Sequence, residues 1–186
     1  MTFFDSILNY DQQLLIFLHQ LGSESWDNFW IICTNPLTWI PLFFVLFYIG
    51  FISFGLKITS YISIIIALSG ITALTSVNLI KNYLQRLRPI YDESINEHLR
   101  ILIEPSGFSF VSGHSTVSFT IAFLAFWVMR KHQKFSFLFF LFPTLFAYSR
   151  IYLAVHYPSD IIAGMCLGYI ISLFFYKTFL VKKITV

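Results

Sequence analysis

Residues 36–55, 58–80 and 107–129 contain no Asp, Glu, Lys or Arg, residues 135–155 contain only Arg150, and residues 161–176 are again uncharged. Each stretch approaches the roughly 20 apolar residues with which a helix crosses about 30 Å of hydrocarbon. A lipid interior leaves backbone N–H and C=O groups no partner but the helix itself, so such stretches dictate helices. The chain is 57% hydrophobic and 11% charged over 186 residues, too apolar for a soluble domain and too short for several. Residues 1–186 therefore read as a single integral membrane domain, an all-α polytopic helix bundle with five crossings, the last over about 160–178.

The first 34 residues fit the pattern less well, because Asp11, Gln12, Gln13 and His19 interrupt it and Leu14 to Leu21 is too short to cross. An N-terminal amphipathic helix lying along the interface is expected there. Trp26, Trp30 and Trp39 suit a headgroup-level aromatic belt. The N-terminus lacks the basic segment and cleavage pattern of a signal peptide, so the first membrane helix is expected to carry targeting. Cys33 and Cys166 are too few and too distant for a disulfide framework, lack metal-ligand spacing, and read as packing residues.

Threading the chain through five crossings sorts its charges. Lys57, Arg130, Lys131, Lys134, Lys177, Lys182 and Lys183 fall on one side. Lys81, Arg86, Arg88, Arg100 and Arg150 fall on the other, with all nine acids. The positive-inside rule makes the first side cytoplasmic, and with it the C-terminus. Three polar segments then meet at the opposite, outer face of the cytoplasmic (inner) membrane: Lys81 with Arg88-Pro89, Ser112-Gly113-His114, and Ser149-Arg150 with His156 and Asp160. Ionisable groups beside membrane spans are costly, so they read as a functional site.

Lys81 and Arg88 are seven residues apart, nearly two helical turns, which predicts one shared helix face ending at Pro89. Two cations there suit a phosphate, although lysines and arginines also snorkel from helix ends. Arg86 lies off that face and reads as solvated or touching headgroups. Ser112-Gly113-His114 precedes an apolar helix, where backbone N–H groups and the positive helix end favour an anion; a serine helix cap is the structural alternative. His114 is placed to donate a proton to a departing oxygen. Asp160, four residues after His156, can accept the imidazole Nδ1–H and leave Nε2 free as a nucleophile; the same pair could ligate a metal, which the surrounding cations oppose. The acidic stretch from Tyr91 to Ser109 reads as a mobile, water-facing lid or rim.

These residues carry a resemblance. KNYLQRLRP from Lys81 to Pro89, VSGH from Val111 to His114, and SRIYLAVHYPSD from Ser149 to Asp160 are similar to the three motifs of the type 2 phosphatidic acid phosphatases. These PAP2 membrane phosphatases share their site with vanadium haloperoxidases. The one departure is Val111, where proline is usual. The resemblance implies that His156 attacks phosphorus to form a phosphohistidine, with Asp160 orienting it. It implies that His114 protonates the leaving group and later activates water. Lys81, Arg88, Ser112, the Gly113 backbone N–H and Arg150 would hold the phosphoryl oxygens. No metal and no other cofactor is implied.

The expected partners are a membrane lipid phosphate and the bilayer, not a nucleic acid. A polyprenyl diphosphate or a lipid A phosphate is favoured by the outward-facing site, ahead of phosphatidylglycerol phosphate and phosphatidic acid. Lipid phosphotransfer through the same phosphohistidine is an alternative, and an anion transporter a more remote one, because the polar residues gather at one face and no inverted repeat is visible.

Overall fold

The computed structural model describes residues 3–184, and among them there is helix, turn and loop but no strand. The helices are α1 (Phe3–Gln20), α2 (Glu24–Cys33), α3 (Ile40–Leu84), α4 (Gly113–Met129), α5 (Leu141–Tyr152), α6 (Pro158–Phe175) and α7 (Val181–Ile184). All five apolar stretches are largely helical. Pro36–Tyr91 and Pro158–Ile184 are long and apolar enough to cross a membrane, while Gly113–Met129 and Ser136–Tyr152 are shorter apolar helices.

The first two stretches are joined within α3, which breaks at Gly55 (φ 75°, ψ 168°), a conformation open to glycine and costly for any residue with a Cβ. The chain reverses there: a Cβ added to Gly50 would lie 3.0 Å from Thr59 Cγ2, far closer than nine residues of straight helix allow. The reversal sits against the loop between α4 and α5, with Phe54 edge-on to His132 at 4.5 Å and Gln133 Nε2 donating to Ser53 Oγ at 3.3 Å. Tyr61 Oη donates to the Phe179 carbonyl at 3.2 Å. Lys57, the Arg130–Lys134 loop and the C-terminal lysines thus share one end of the bundle, and the three polar segments share the other.

α4 is the central helix. Its buried Leu124, Val128 and Met129 meet Ile62, Ile65 and Ala73 of α3 and Ile171 and Phe175 of α6. Against α6 the approach is close enough to need glycine: an added Cβ would come within 2.8 Å of the Ser112 carbonyl at Gly164 and 2.7 Å of the Thr116 carbonyl at Gly168. Small residues at a four-residue interval let two backbones meet where no hydrophobic effect drives apolar helices together. Thr120 Oγ1 also donates to the Gly168 carbonyl at 3.4 Å.

The N-terminal segment is two helices rather than the single one expected, and α1 is turned inside out. It buries Asp11, Leu15 and His19, spaced four apart on one face, and exposes Tyr10, Leu14 and Phe17. Of the polar residues that interrupt the apolar pattern, Asp11, Gln12 and His19 face the protein, while Gln13 is exposed and donates to Asn9 of its own helix. His19 Nδ1 lies 2.7 Å from the Tyr152 carbonyl, its Nε2 accepts from the Arg100 amide at 2.8 Å, and Gln12 Nε2 donates to Asp92 at 3.0 Å. The outward face is mostly apolar, with Ile7, Leu8, Leu14 and Phe17 exposed, as suits a helix bedded in lipid.

Two further expectations are corrected. Cys166 is exposed on the outside of α6, so only Cys33 is a buried packing residue. The stretch from Tyr91 to Ser109 is not a free rim: Ile95 and Leu99 are buried with Leu15, Ile151 and Tyr157, and Arg100 Nη1 pairs with Asp27 at 2.9 Å.

Candidate active site

Lys81 occupies the last turn of α3, where Nζ donates to the Phe108 carbonyl at 2.6 Å. The helix does not continue to Pro89. Gln85 takes the left-handed conformation (φ 49°, ψ 34°) and returns its N–H to the Lys81 carbonyl at 2.9 Å, a C-terminal stop. Arg88 stands beyond that stop in extended backbone, so Lys81 and Arg88 do not share a helix face. The chain reversal nonetheless brings their charges near each other and near Arg150.

Arg88 is buried and largely committed to protein carbonyls. Nε donates to Gly107 O at 3.0 Å, Nη2 to Ser106 O at 3.0 Å, and Nη1 to Val155 O at 2.9 Å. The same Nη1 lies 3.3 Å from His156 Nε2. A guanidinium only donates, so Nε2 carries the lone pair and the ring proton sits on Nδ1. Nδ1 faces Asp160 Oδ2 at 3.3 Å and Ser109 Oγ at 3.3 Å.

His156 lies in the connection between α5 and α6, where Ala154 adopts a left-handed φ of 53° and Val155 N–H returns to the Arg150 carbonyl at 3.0 Å. The connection is buried throughout, and burial is the largest cause lowering the His156 pKa from 6.5 to about 3; the charges of Arg150 and Arg88 act the same way, and hydrogen bonding to Asp160 opposes them. The imidazole is neutral at ordinary pH, the form a nucleophile requires.

Ser112 caps α4, its Oγ accepting from the Ser115 amide at 3.4 Å, and its own amide donates to the Asp160 carbonyl at 3.1 Å. That backbone bond ties the second polar segment to the third. Gly113 is the first residue of α4, where amides lack an intrahelical acceptor. His114 lies against the Phe146 ring at 4.5 Å with Nε2 3.2 Å from the Thr34 carbonyl, within electrostatic reach of Arg150, His156 and Lys81. Arg150, at the end of α5, donates from Nη1 to Thr34 Oγ1 at 2.5 Å. Its buried Nε has no hydrogen-bond partner among the described residues. An unsatisfied buried donor is costly and calls for an acceptor.

The structure thus gathers Lys81, Arg88, Ser112, Gly113, His114, Arg150, His156 and Asp160 at one end of the bundle. It adds Thr34, Ser109 and Arg86 with its partner Asp11, to which the sequence assigns no place in the site. Thr34 links His114 to Arg150. Ser109 Oγ donates to Asp160 Oδ2 in a short hydrogen bond. Arg86, expected in solvent, instead donates to Asp160 Oδ1 at 2.7 Å and pairs with Asp11 at 2.8 Å. Among the described residues no cluster of three or more His, Cys, Asp or Glu has the arrangement of a metal centre.

Residues 57–183 match the family model of the PAP2 superfamily. The chain belongs to that superfamily. It is 31% identical over 179 residues to a lipid A 4'-phosphatase of Bacteroides thetaiotaomicron, covering 94% of this chain and 78% of the relative. It is 29% identical over 171 residues to an undecaprenyl-diphosphatase of Sulfolobus acidocaldarius, covering 89% and 72%. Among solved structures, the PAP2-type phosphatidylglycerolphosphate phosphatase of Bacillus subtilis superposes with a TM-score of 0.72 at 18% identity, over 92% of this chain and 85% of that one. Aquifex aeolicus LpxE superposes with a TM-score of 0.64 at 23% identity, over 89% and 93%. The PAP2 fold accounts for the all-helical architecture.

Proposed function

We propose that this PAP2 membrane lipid phosphatase removes phosphate from a lipid headgroup at the outer face of the membrane through a phosphohistidine on His156. The observation that carries the reading is the environment of His156: Nδ1 held toward Asp160, Nε2 toward Arg88, and within electrostatic reach Arg150, whose Nε has no partner among the described residues. The Nε2 lone pair attacks phosphorus in line, and the phosphorus–oxygen bond to the lipid breaks. Positive charge developing on the ring is stabilised by Asp160. His114 gives its proton to the departing oxygen, then takes one from the water that attacks the phosphorus–nitrogen bond, releasing phosphate and restoring His156. Lys81, Arg150 and the start of α4, with Ser112 and the Gly113 amide, hold the phosphoryl oxygens, and Arg88 contributes mainly charge and the fixing of Nε2.

An apolar groove of about 770 Å³ supports a lipid substrate. Ile40, Phe47, Ile62, Leu74, Val117 and Ile121 line it between both arms of α3 and α4, and Val117 lies one turn from His114. We assign it to the substrate's apolar tail. The lipid A 4'-phosphatases of Bacteroides and of Porphyromonas gingivalis, the latter 25% identical, favour a lipid A phosphate as the substrate, with a polyprenyl diphosphate next.

The test is phosphate release from lipid A, undecaprenyl diphosphate, phosphatidylglycerol phosphate and phosphatidic acid, with no acceptor lipid present. His156→Ala is expected to lower release by roughly a thousandfold or more while the protein stays folded in detergent. Full activity in that variant removes His156 as nucleophile. Turnover only when an acceptor lipid is added assigns the site to phosphotransfer instead.

A further inference from the structure

A carboxylate that orients a nucleophilic imidazole must itself be held, and in this chain the holding comes from far away in sequence. Asp160 is wholly buried. Its Oδ2 accepts from the Tyr157 amide at 3.0 Å and from Ser109, and faces His156 Nδ1. Its Oδ1 is taken by Arg86 Nη1 at 2.7 Å, and the same nitrogen donates to Ser159 Oγ at 2.8 Å. The other arm of the fork, Nη2, donates to Asp11 Oδ2 at 2.8 Å, and the guanidinium lies 3.8 Å above the Tyr157 ring. Asp11 in turn accepts from the Ser159 amide at 2.9 Å and, through a short hydrogen bond, from the Ser159 hydroxyl.

We infer that Arg86, anchored by Asp11 of α1, is a positioning residue that fixes Asp160 and through it the orientation and tautomer of His156. α1 is then part of the catalytic scaffold as well as a surface helix. The inference rests on His156 being the nucleophile. Arg86 ion-pairs with two buried carboxylates, and a buried carboxylate that loses its cation rotates toward other donors or takes up a proton. Either change removes the acceptor for Nδ1–H. A planar fork spans two carboxylates at once, and a lysine point charge does not. Arg86 binds Asp160 on the oxygen turned away from His156, so it acts on turnover and not on substrate affinity.

The experiment measures kcat and KM for phosphate release by Arg86→Gln, Arg86→Lys, Asp11→Asn, Asp160→Asn and Arg86→Gln combined with Asp160→Asn, with His156→Ala alongside. Arg86→Gln and Arg86→Lys are expected to lose about ten- to a hundredfold in kcat, the range seen when outer hydrogen-bond partners of active-site ligands are removed, with KM little changed. The double variant is expected to be no worse than Asp160→Asn alone, because both changes break one relay. A kcat for Arg86→Gln within about twofold of the parent, a rise in KM alone, or losses that simply add would overturn the role. Asp11→Asn is nearly isosteric and serves if the Arg86 variants do not fold; its kcat is expected to fall severalfold, and an unchanged value overturns the link to α1. An active His156→Ala defeats the nucleophile assignment itself. An inactive His156→Ala beside a fully active Arg86→Gln defeats only the positioning role.

Discussion

At the scale of single residues, the proposed chemistry depends on keeping one imidazole neutral inside a nest of positive charge. Burial first, then Arg150 and Arg88, lower the His156 pKa to about 3, below the 6.5 of an exposed histidine. Between those values the unfolded chain binds a proton that the folded chain does not, so folding stability rises with pH across the window and falls on acidification. His19, buried beside the Arg100 charge, is shifted in the same direction and adds to the effect. The unfolding midpoint in detergent is therefore expected to fall as pH drops from about 7 to about 4, with a smaller fall in His156→Ala. A midpoint that is flat over that range contradicts the buried neutral imidazole. What the sequence reveals at this scale is set by local spacing. His156 and Asp160 are four apart, and Ser112, Gly113 and His114 are contiguous, so their grouping is visible in one dimension. Arg86 looks like a solvated neighbour because its partners, Asp11 and Asp160, lie 75 and 74 residues away. Ser109 and Thr34 are silent for the same reason: a hydroxyl in a loop acquires a role only when the fold brings it an acceptor.

At the scale of elements, uncharged length predicts where helices run, while their ends are decided by single backbone conformations. Gly55 breaks α3 close to where Lys57 separates two apolar stretches. Gln85 ends the helix before Pro89 does, because a left-handed residue can turn the last N–H back onto the helix, a signal that composition does not carry. The apolar groove is likewise a product of pairing, formed where the reversal at Gly55 leaves the two arms of α3 open beside α4. Gly70 lines this groove, and a Cβ added there meets nothing within 4 Å. Gly70→Phe is thus expected to fold and to fill part of the groove. If the groove seats the lipid tail, KM for a long-chain lipid phosphate rises severalfold, and kcat/KM for a short water-soluble phosphate ester stays the same. Equal effects on both substrates, or none on the lipid, would remove the groove from substrate binding.

At the scale of the whole molecule, the bundle has two chemically different ends, and its orientation follows from which end the membrane machinery retains inside. Lys57, Arg130, Lys131 and Lys134 meet at one end through the contacts of Phe54 with His132 and of Ser53 with Gln133. The other end carries the site and the acidic stretch from Asp92 to Glu104. Lys and Arg in short loops stay cytoplasmic, and by that rule the site is expected to face outward. Glu93 and Lys131 are both exposed, one at each end, and give a paired test. In a background with Cys166 replaced by serine, leaving only buried Cys33, a membrane-impermeant thiol reagent is expected to label Glu93→Cys in intact cells or spheroplasts. Lys131→Cys is expected to react only after lysis. The reverse pattern would place the site in the cytoplasm, where the carriers and lipids that expose phosphate outside are beyond its reach. Labelling of both positions before lysis would mean that this end-to-end division of charge does not set the orientation.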